Sequence, residues 1–367
     1  MSRTRLASAM VTTAVLLAAP LSLTGFWLQT GLFAMAAAIG AIGLTLLVGV
    51  TGQLSLGHAF FVAVGAYGYA FLAGPGGEVG GLGLPTPLAA IGAVMLAGAA
   101  GALFSPIAGR LRGIYLGLAS LGLVFAGQHI LHNASAVTGG FNGRDAEPFR
   151  LFGFSFTATN PEVVILSVPY GGLERLWYLG LVLLGLSYWY ARNLLRGRPG
   201  RALVGVRDSE VAAAVMGVDV RRYKAAAFTV SSAYAGLAGV LLALVFGRIV
   251  PDSFGFVMSI DFLAMIIIGG LGSVAGGVAG AVIVTALPLV LGHYSDALPF
   301  LAQPGENGVG AAEAARLLYG AAVVAVLLFA PGGLAQLRTV VPTLKEPPHE
   351  PTNTGAGPLA LPGADRV

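Results

Sequence analysis

The chain has 367 residues, of which 56% are hydrophobic and only 10% are charged, and its mean hydropathy is +0.83. This polar fraction is too small to solvate a water-soluble globule of that size, so the composition predicts a polytopic membrane protein. The sequence contains no cysteine, which excludes disulfides, thiolate metal sites and cysteine nucleophiles. The formal net charge is only +4, so the placement of the charges is more informative than their sum.

Apolar runs of about 20 residues, the length that crosses about 30 Å of hydrocarbon, recur along the chain. They predict an all-α membrane protein with about ten transmembrane helices, within a range of 8 to 10. The first group lies near 8–29, 31–50, 54–73, 86–107 and 113–131. The second group lies near 175–193, 225–246, 258–273, 275–292 and 314–330. The stretch Gly269–Gly277 also allows one span plus a broken or re-entrant helix.

The distribution of Lys and Arg predicts that both termini are cytoplasmic. With an internal N-terminus and ten spans, 15 of the 20 basic residues lie on the inner side. These are the eight in the loop 192–224 and Arg3, Arg5, Arg110, Arg112, Arg338, Lys345 and Arg366. Only Arg144, Arg150, Arg175, Arg248 and Arg316 fall outside. Such an excess on one side is typical of the cytoplasmic face.

The sequence outside the apolar runs indicates the domain organisation. Residues 1–341 are predicted to form one transmembrane domain, with a cytoplasmic loop at 192–224 and an external loop at 132–174. The external loop either covers part of an outer vestibule or is a surface loop with aromatic residues at the membrane interface. The Pro-rich tail 342–367 has no apolar period and is predicted to be a disordered cytoplasmic tail.

The loop 192–224 contains a short predicted helix from Asp208 to Gly217. Asp208 is predicted to cap its N-terminus, Glu210 to favour the positive end of its dipole and Gly217 to close it in a left-handed conformation. A helix of this length is unstable alone in water, so we expect packing or a partner to hold it.

One face of this predicted helix is apolar, although the loop around it is basic. Val211 and Val215 lie one turn apart with Met216 beside them. Asp219 is predicted to cap the following helix, which begins at Val220. The segment therefore predicts a contact surface for something outside the bilayer.

Six sequence blocks together span about residues 30–335. They are TGQLSLGHAFFVAVGAYGYA (51–70), RLRGIYLGLASLG (110–122), TGGFNG (138–143), GRALVGVRDSEVAAAVMGVDVRRYKAAAF (200–228), GGLGSVAGGVAGA (269–281) and FAPGGL (329–334). In content and order the blocks resemble those of the permeases of branched-chain amino acid ABC transporters, in particular the LivM type. The resemblance implies the fold of an ABC importer permease.

In such importers the short loop helix is a coupling helix that sits in a groove of a separate ATPase subunit. The general EAA-xxx-G pattern of ABC importers is matched in spacing by Val211, Ala212, Ala213 and Gly217. Valine replaces the first Glu of the pattern, and Glu210 lies one position earlier. The coupling helix predicted from the resemblance comprises Asp208, Glu210, Val211, Ala212, Ala213, Val215, Met216 and Gly217.

The resemblance also implies the partners. They are a second, LivH-like permease, two ATPase subunits similar to LivG and LivF, an external amino-acid-binding protein and the lipid of a bacterial cytoplasmic membrane. No nucleic acid is expected. ATP and Mg²⁺ would bind to the ATPase subunits, and this chain would bind no cofactor.

Motifs for nucleotide binding, catalysis or metal binding do not occur in the sequence. There is no G-x-x-x-x-G-K-[ST] phosphate loop, no G-x-S-x-G elbow and no H-E-x-x-H helix. His129 and His132 are three residues apart, but no third ligand is near them in sequence. We therefore predict a transport subunit that is not an enzyme, with no catalytic, cofactor-binding or metal-binding residue.

Polar residues at membrane depth are candidates for a substrate pathway, because burying them is costly. Gln53, Ser55 and His58 cluster with Gly57 where the second and third apolar runs meet. This pattern fits a helix break whose free backbone groups line a cavity, or an ordinary turn between helices at the cytoplasmic face. Gln128 is the fifth candidate.

Two further features of the sequence allow either a structural or a functional interpretation. Asp261, like His129, is a further candidate for the substrate pathway, and its favoured interpretation is an interfacial residue at the start of a helix. Gly272, Gly276 and Gly280 recur every four residues and predict a close-packing stripe, either inside the chain or against the partner permease.

The function predicted from these observations is the ATP-driven import of branched-chain, hydrophobic amino acids by alternating access. One alternative keeps this mechanism and changes the cargo to urea, a short amide or a sugar. The other is an ion-coupled secondary transporter, which the scarcity of acidic residues in the apolar runs disfavours.

Overall fold

In the computed structural model, the described residues are 3–77, 79–111, 113–156, 163–165, 168–295, 310–330 and 332–337. The predicted C-terminal tail 342–367 lies outside them. The helices of the described part are α1 (Arg3–Ala18), α2 (Gly25–Leu44), α3 (His58–Ala73), α4 (Thr86–Arg110), α5 (Ile114–Asn133), α6 (Ser135–Thr138), α7 (Gly172–Arg196), α8 (Arg198–Asp208), α9 (Glu210–Val215), α10 (Val220–Phe246), α11 (Phe256–Gly269), α12 (Val274–His293), α13 (Ala311–Phe329) and α14 (Leu334–Leu337).

Six of the described helices are long and apolar enough to cross a membrane: Gly25–Val50, Thr86–Arg110, Ile114–Asn133, Val220–Phe246, Val274–His293 and Ala311–Phe329. Three shorter apolar helices are Met10–Leu21, His58–Ala73 and Phe256–Gly269. The predicted boundary between the first two spans differs from the structure, because α2 already begins at Gly25 after a short break. The predicted span 175–193 corresponds to α7, which has the length but is not among the six.

The core forms around α10 and α2, which pack with α3 and α4 through glycine and alanine. A Cβ atom placed on Gly65 would lie 2.2 Å from the carbonyl oxygen of Gly236, and one on Gly239 would lie 2.0 Å from that of Val62. Helix backbones in contact at this distance gain dispersion energy where lipid leaves no hydrophobic drive for association. The high glycine content therefore allows α3 and α10 to pack closely.

Helices α4, α5 and α13 lie at the periphery and expose large apolar side chains. Leu103 of α4, Ile114 of α5 and Leu328 of α13 are all more than half exposed. Such surfaces fit contact with lipid or with another membrane subunit. The described part of the chain thus presents the apolar exterior expected of a membrane protein.

A break separates α2 from α3. Helix α2 continues into a π-helical turn, Thr45–Val50, and residues 52–57 are not helical before α3 begins at His58. We call residues 52–57 the α2–α3 break. Gly52 has φ +70°, a left-handed conformation that favours glycine, so the chain turns sharply at the start of the break.

The stretch Gly269–Gly277 forms a hairpin between α11 and α12. Its turn comprises residues 270–273, where Gly270 (φ +107°) and Gly272 (φ +85°) adopt conformations that other residues avoid. Helix α11 has 14 residues and is about 21 Å long at 1.5 Å per residue, which is less than the hydrocarbon thickness.

The prediction of an all-α chain is incomplete, because the segment between α5 and α7 contains short strands. Strand β2 (Arg150–Leu151) pairs with β3 (Phe154–Ser155), and β4 (Val163–Ile165) pairs with β5 (Val168–Tyr170). Strand β1 (Arg144–Asp145) pairs with β6 (Arg248–Ile249), which directly follows α10.

The β1–β6 pair is held by side chains of both strands. Arg144 is buried, donates to the carbonyl oxygens of Gly80 and Val137, and has a pKa that burial lowers from its ordinary value. Arg248 donates to the carboxylate of Asp145 at 3.2 Å. The segment after α5 is therefore fixed to the end of α10.

Candidate functional site

The predicted contact helix exists, but its N-terminal cap is different. Helix α9 runs from Glu210 to Val215, and its cap is Ser209, whose hydroxyl accepts a hydrogen bond from the backbone N–H of Ala212 at 3.2 Å. The predicted cap at Asp208 is wrong, because Asp208 is the last residue of α8 and its carboxylate pairs with Arg207. Asp, Ser and Thr all cap helices well, so the choice depends on where the preceding helix ends.

Two other predicted details of this region are confirmed. Gly217 follows α9 with φ +82°, the left-handed conformation that ends a helix. Asp219 caps α10 by accepting a hydrogen bond from the backbone N–H of Arg222 at 3.1 Å.

One face of α9 carries exposed apolar side chains, and the opposite face is packed against the rest of the chain. Val211, Val215 and Met216 are 74%, 85% and 73% exposed, and Ala212 is exposed as well. Ala213 is fully buried on the opposite side. Three adjacent exposed apolar side chains on a fixed short helix form a surface suited to a protein partner.

Glu210 lies on the packed side of α9 and forms an ion pair with Lys224 of α10. The Lys224 side chain is only 6% exposed and that of Glu210 is 27% exposed. Glu210 therefore fastens α9 to the membrane domain rather than extending the exposed apolar surface.

Sequence reasoning missed helix α8, which occupies the first part of the basic loop. It buries Leu203 and Val206 and exposes Arg207, whose guanidinium donates to the carbonyl oxygen of Gly49 at 3.1 Å. Two signals could have indicated it. Pro199 stands in its first turn, and Leu203 and Val206 have the i, i+3 spacing of a helix face.

Four of the five predicted pathway residues lie together in or next to the α2–α3 break. Gln53, Ser55 and His58 are at most 4% exposed, and Gly57 approaches α5 so closely that a Cβ atom there would lie 2.9 Å from the carbonyl oxygen of Ser120. The His58 ring makes a 3.0 Å hydrogen bond with the carbonyl oxygen of Gly40. These residues connect the break to its neighbours.

The fifth predicted residue, Gln128, lines a cavity of about 620 Å³ at the opposite end of the helices. The cavity lies between the first parts of α2, α11 and α13 and the last parts of α5, α10 and α12. Its walls are mainly apolar and include Phe33, Phe246, Met258, Phe262, Met265, Val284 and Leu289. A concave apolar site with a few polar groups is the usual form of a small-molecule site.

One aromatic contact connects the cavity with the residue that directly follows the break. Phe262 lines the cavity, and its ring packs edge-on against His58, with 4.7 Å between the ring centroids. The break therefore lies behind one wall of the cavity.

Charged groups meet at the cavity from separate elements. Asp261 of α11 accepts a hydrogen bond from the hydroxyl of Tyr319 at 2.5 Å, and Arg316 lies one turn before Tyr319 on α13. Asp252 also lines the cavity and contacts His132 at 3.1 Å. Asp261 is the sixth residue of α11, inside the helix, so its interpretation as a residue at the helix start is wrong.

The three predicted packing glycines differ in their surroundings. Gly272 lies in the turn of the α11–α12 hairpin, close to Gly49. Gly276 and Gly280 lie in α12, where added Cβ atoms would come within 2.1 Å and 1.9 Å of the carbonyl oxygens of Gly269 and Met265. The latter two thus bring α12 against α11 within the chain.

Among the described residues, no three His, Asp or Glu side chains are grouped as a metal site requires. The geometry of this part of the chain is that of a helical membrane domain with a cavity at one end and an exposed contact helix at the other.

Comparison with known proteins gives the family. A model of the permease component of branched-chain amino acid transport systems matches residues 27–327. The chain belongs to the branched-chain amino acid permease family. The resemblance inferred from the sequence blocks is confirmed, and the family together with the apolar helices indicates a multi-pass membrane protein.

The curated relatives include subunits for different cargoes. LivM, a permease protein of the high-affinity branched-chain amino acid transport system of Escherichia coli (strain K12), is 37% identical over 260 residues, 68% of this chain and 59% of LivM. The ribose import permease protein RbsC of the same strain is 28% identical over 268 residues, 72% of this chain and 74% of RbsC. LivH of Salmonella typhimurium is 26% identical over 264 residues, 67% of this chain and 78% of LivH.

The chain aligns with less than two thirds of the length of the LivM relatives. No solved structure matches the chain. The position of the cavity and of α9 therefore comes from the structure of this chain itself.

Proposed function

We propose that this chain is the membrane permease subunit of an ATP-driven importer that moves branched-chain amino acids inward by alternating access. The observation that carries the proposal is α9, a helix with three exposed apolar side chains that is fixed to the membrane domain by an ion pair. Together with membership of the family, this arrangement supports the docking of a separate ATPase subunit on α9.

The proposed complex contains this chain, a second LivH-like permease, two ATPase subunits and an external amino-acid-binding protein. ATP and Mg²⁺ would bind to the ATPase subunits. In this proposal the chain has 8 to 10 membrane-spanning helices, with both termini and α9 on the cytoplasmic side of the bacterial cytoplasmic membrane. The excess of basic residues on that side supports this orientation.

The proposed substrate pathway begins at the cavity, which would face outward. Helix α10 has 27 residues and spans about 40 Å, with Val220 next to α9 and Phe246 at the cavity. Cavity and docking helix therefore belong to opposite ends of the domain, as alternating access requires. Apolar walls suit an aliphatic side chain, and Gln128, Asp261 and Arg316 offer polar partners for a zwitterionic head.

From the cavity, the proposed pathway continues past Phe262 to the α2–α3 break, with Gln53, Ser55, Gly57 and His58. Non-helical backbone at membrane depth is tolerated where protein buries it or where it lines a water-filled path. A conformational change that separates His58 from Phe262 would join the cavity to the break.

A single added charge tests the docking surface. In the assembled complex, Val215→Asp should weaken binding of the ATPase subunits by a factor of about 5 to 150, since the loss of an interface anchor costs about 1 to 3 kcal/mol. The measurement is the ATPase-subunit affinity of the purified permease pair, with leucine uptake measured in proteoliposomes.

The matched control is Phe152→Asp. Phe152 is fully exposed in the β2–β3 hairpin, far from α9 in the fold, so this variant adds the same charge without touching the docking surface. Unaltered ATPase-subunit affinity in Val215→Asp would contradict the docking surface. Leucine uptake that needs no ATPase subunit would contradict the proposed function as a whole.

A second candidate cargo is a sugar, because the ribose permease RbsC is among the relatives. The polar groups of the cavity would then bind hydroxyls, and its many apolar side chains favour the aliphatic cargo. Uptake of radiolabelled leucine in the presence of excess unlabelled ribose, isoleucine or urea separates the candidates, and competition by isoleucine alone is expected.

A further inference from the structure

The ion pair between α9 and α10 is buried at the edge of the membrane domain. Lys224 lies in the second turn of α10, and its ammonium group contacts the Glu210 carboxylate. Burying an ammonium group without a partner is costly, so Lys224 keeps α9 close to α10. By contrast, Arg221 and Arg222 in the first turn are exposed, and Arg222 pairs with Asp219 at 3.0 Å.

The backbone of the same lysine contacts the α2–α3 break. The carbonyl oxygen of Lys224 accepts a hydrogen bond from the Gln53 side-chain amide at 3.3 Å, and this amide also donates to the Thr51 hydroxyl at 3.0 Å. Gln53 is 4% exposed. One residue of α10 thus contacts α9 through its side chain and the break through its backbone.

The break and the first turn of α3 are in turn bonded to two helices that line the cavity. The backbone N–H of Leu56 donates to the Ser120 hydroxyl of α5 at 2.8 Å, and that of Ala59 donates to the Ser259 hydroxyl of α11 at 3.0 Å. Helices α5 and α11 reach the cavity with Gln128 and Asp261. Hydrogen bonds together with the covalent backbone therefore connect α9 to the helices of the cavity walls.

The break can change shape more easily than a helix. Residues 52–57 lack the internal hydrogen bonds of a helix, and within the described part of the chain the Gln53 side-chain oxygen has no hydrogen-bond partner although it is buried. A rearrangement that gives this oxygen a hydrogen-bond partner would offset part of the free energy that is lost when the present contacts break. A segment with two available arrangements is the physical requirement for coupling between distant sites.

We propose that Lys224 is a positioning residue for transport, which transmits displacement of α9 through Gln53 to the α2–α3 break and from there to the cavity helices α5 and α11. This inference rests on the proposed function, because it requires an ATPase that moves α9. It goes beyond that function by naming the residue that connects α9 to the substrate pathway. The docking contacts are made by the exposed apolar face of α9, and the buried Lys224 is not part of that face.

The test uses the complete complex of this chain, its partner permease, both ATPase subunits and the binding protein, reconstituted in proteoliposomes. Lys224→Gln should leave the affinity for the ATPase subunits within about threefold, whereas leucine imported per ATP hydrolysed should fall at least tenfold. Arg222→Gln is the matched control, since it removes a neighbouring cation that does not contact the break, and it should change neither quantity.

Two additional variants keep the test independent of folding. Gln53→Met retains the ion pair and the charge balance but removes the hydrogen bond to the Lys224 carbonyl, and it should lower the import-to-hydrolysis ratio in the same direction. The exchange Glu210→Lys with Lys224→Glu should recover part of the ratio lost in Lys224→Gln. The thermal unfolding midpoint of each purified permease pair reports its stability.

The outcomes separate this inference from the proposed function. An unchanged ratio in both Lys224→Gln and Gln53→Met would overturn the role of Lys224. Loss of ATPase-subunit binding in parallel with loss of import in Lys224→Gln would overturn it too, because Lys224 would then only stabilise the docking surface. If the wild-type complex neither binds the ATPase subunits nor hydrolyses ATP in response to leucine, the proposed function itself fails.

Discussion

The two ends of this membrane domain are built differently. At the α9 end, helices are held by backbone contacts at glycine and by an ion pair with a buried lysine, and Gln53, Ser55 and His58 are at most 4% exposed. At the cavity end, the same helices separate around about 620 Å³ of space, which is lined by the partly buried Asp261 and the exposed Asp252 and Arg316. The contrast teaches that the tight end is suited to transmitting force and the open end to admitting a solute.

The contrast exists within a single pair of helices. Near their hairpin turn, α11 and α12 touch through Gly269 and Gly276, whereas Val284 and Pro288, further along α12, face the cavity. Helix spacing along one pair therefore follows the positions of the small residues.

The largest expected effect is on stability, and it tests the close contact between α11 and α12. Gly280→Ala would place a Cβ atom 1.9 Å from the carbonyl oxygen of Met265, so the free energy of unfolding should fall by about 3 kcal/mol. Gly292→Ala at the cavity end of the same helix meets only Ala311 at 3.8 Å and should shift the stability by less than about 1 kcal/mol. Thermal unfolding in detergent measures both, and equal shifts would remove the distinction between the two ends.

An intermediate effect is expected at the open end. Arg316→Gln removes a cation from the cavity wall, and a charge-assisted hydrogen bond is worth about 1.5 to 3 kcal/mol. The KM for leucine uptake should therefore rise at least about tenfold, at an unchanged affinity for the ATPase subunits.

Arg248→Gln is the control for this prediction, because Arg248 lies at the same end and contacts Asp145 without lining the cavity. It should leave the KM for leucine within about twofold. A rise in KM of the same size in both variants would show that charge at this end, and not the cavity, governs uptake.

The smallest effect is expected at the cap of α9. Ser209→Ala removes the hydrogen bond to the Ala212 N–H and should cost the helix about 1 kcal/mol, which corresponds to a loss of about fivefold in ATPase-subunit affinity. Ser209→Asp should retain the affinity, because aspartate caps equally well. An unchanged affinity in Ser209→Ala would show that packing and the ion pair hold α9 without the cap.

Local signals in the sequence predicted much of this fold, because they depend on neighbouring residues only. The apolar runs locate the long helices, Gly217 ends α9 and Asp219 caps α10. The cap at Ser209 could not be distinguished from Asp208 by residue type, since both side chains accept the same hydrogen bond. The residue at which α8 ends decides which of the two caps α9, and α8 was not predicted from the sequence.

The connections between distant parts of the chain could not be predicted. The side chain of Gln53 contacts the backbone of Lys224, 171 residues later, and no sequence pattern encodes that meeting. Likewise, the cavity exists only where the ends of several helices diverge. The sequence selected Gln128 by its polarity, whereas the association of Asp261 with Tyr319 follows from the packing of α11 beside α13.

Helix α10 is anchored at both of its ends. At one end Lys224 connects it to α9, and at the other the β1–β6 pair joins it to the segment after α5. Both anchors lie on one continuous helix of 27 residues. If an ATPase moves α9 as proposed, the same helix would also carry a displacement of the β1–β6 pair back toward Lys224.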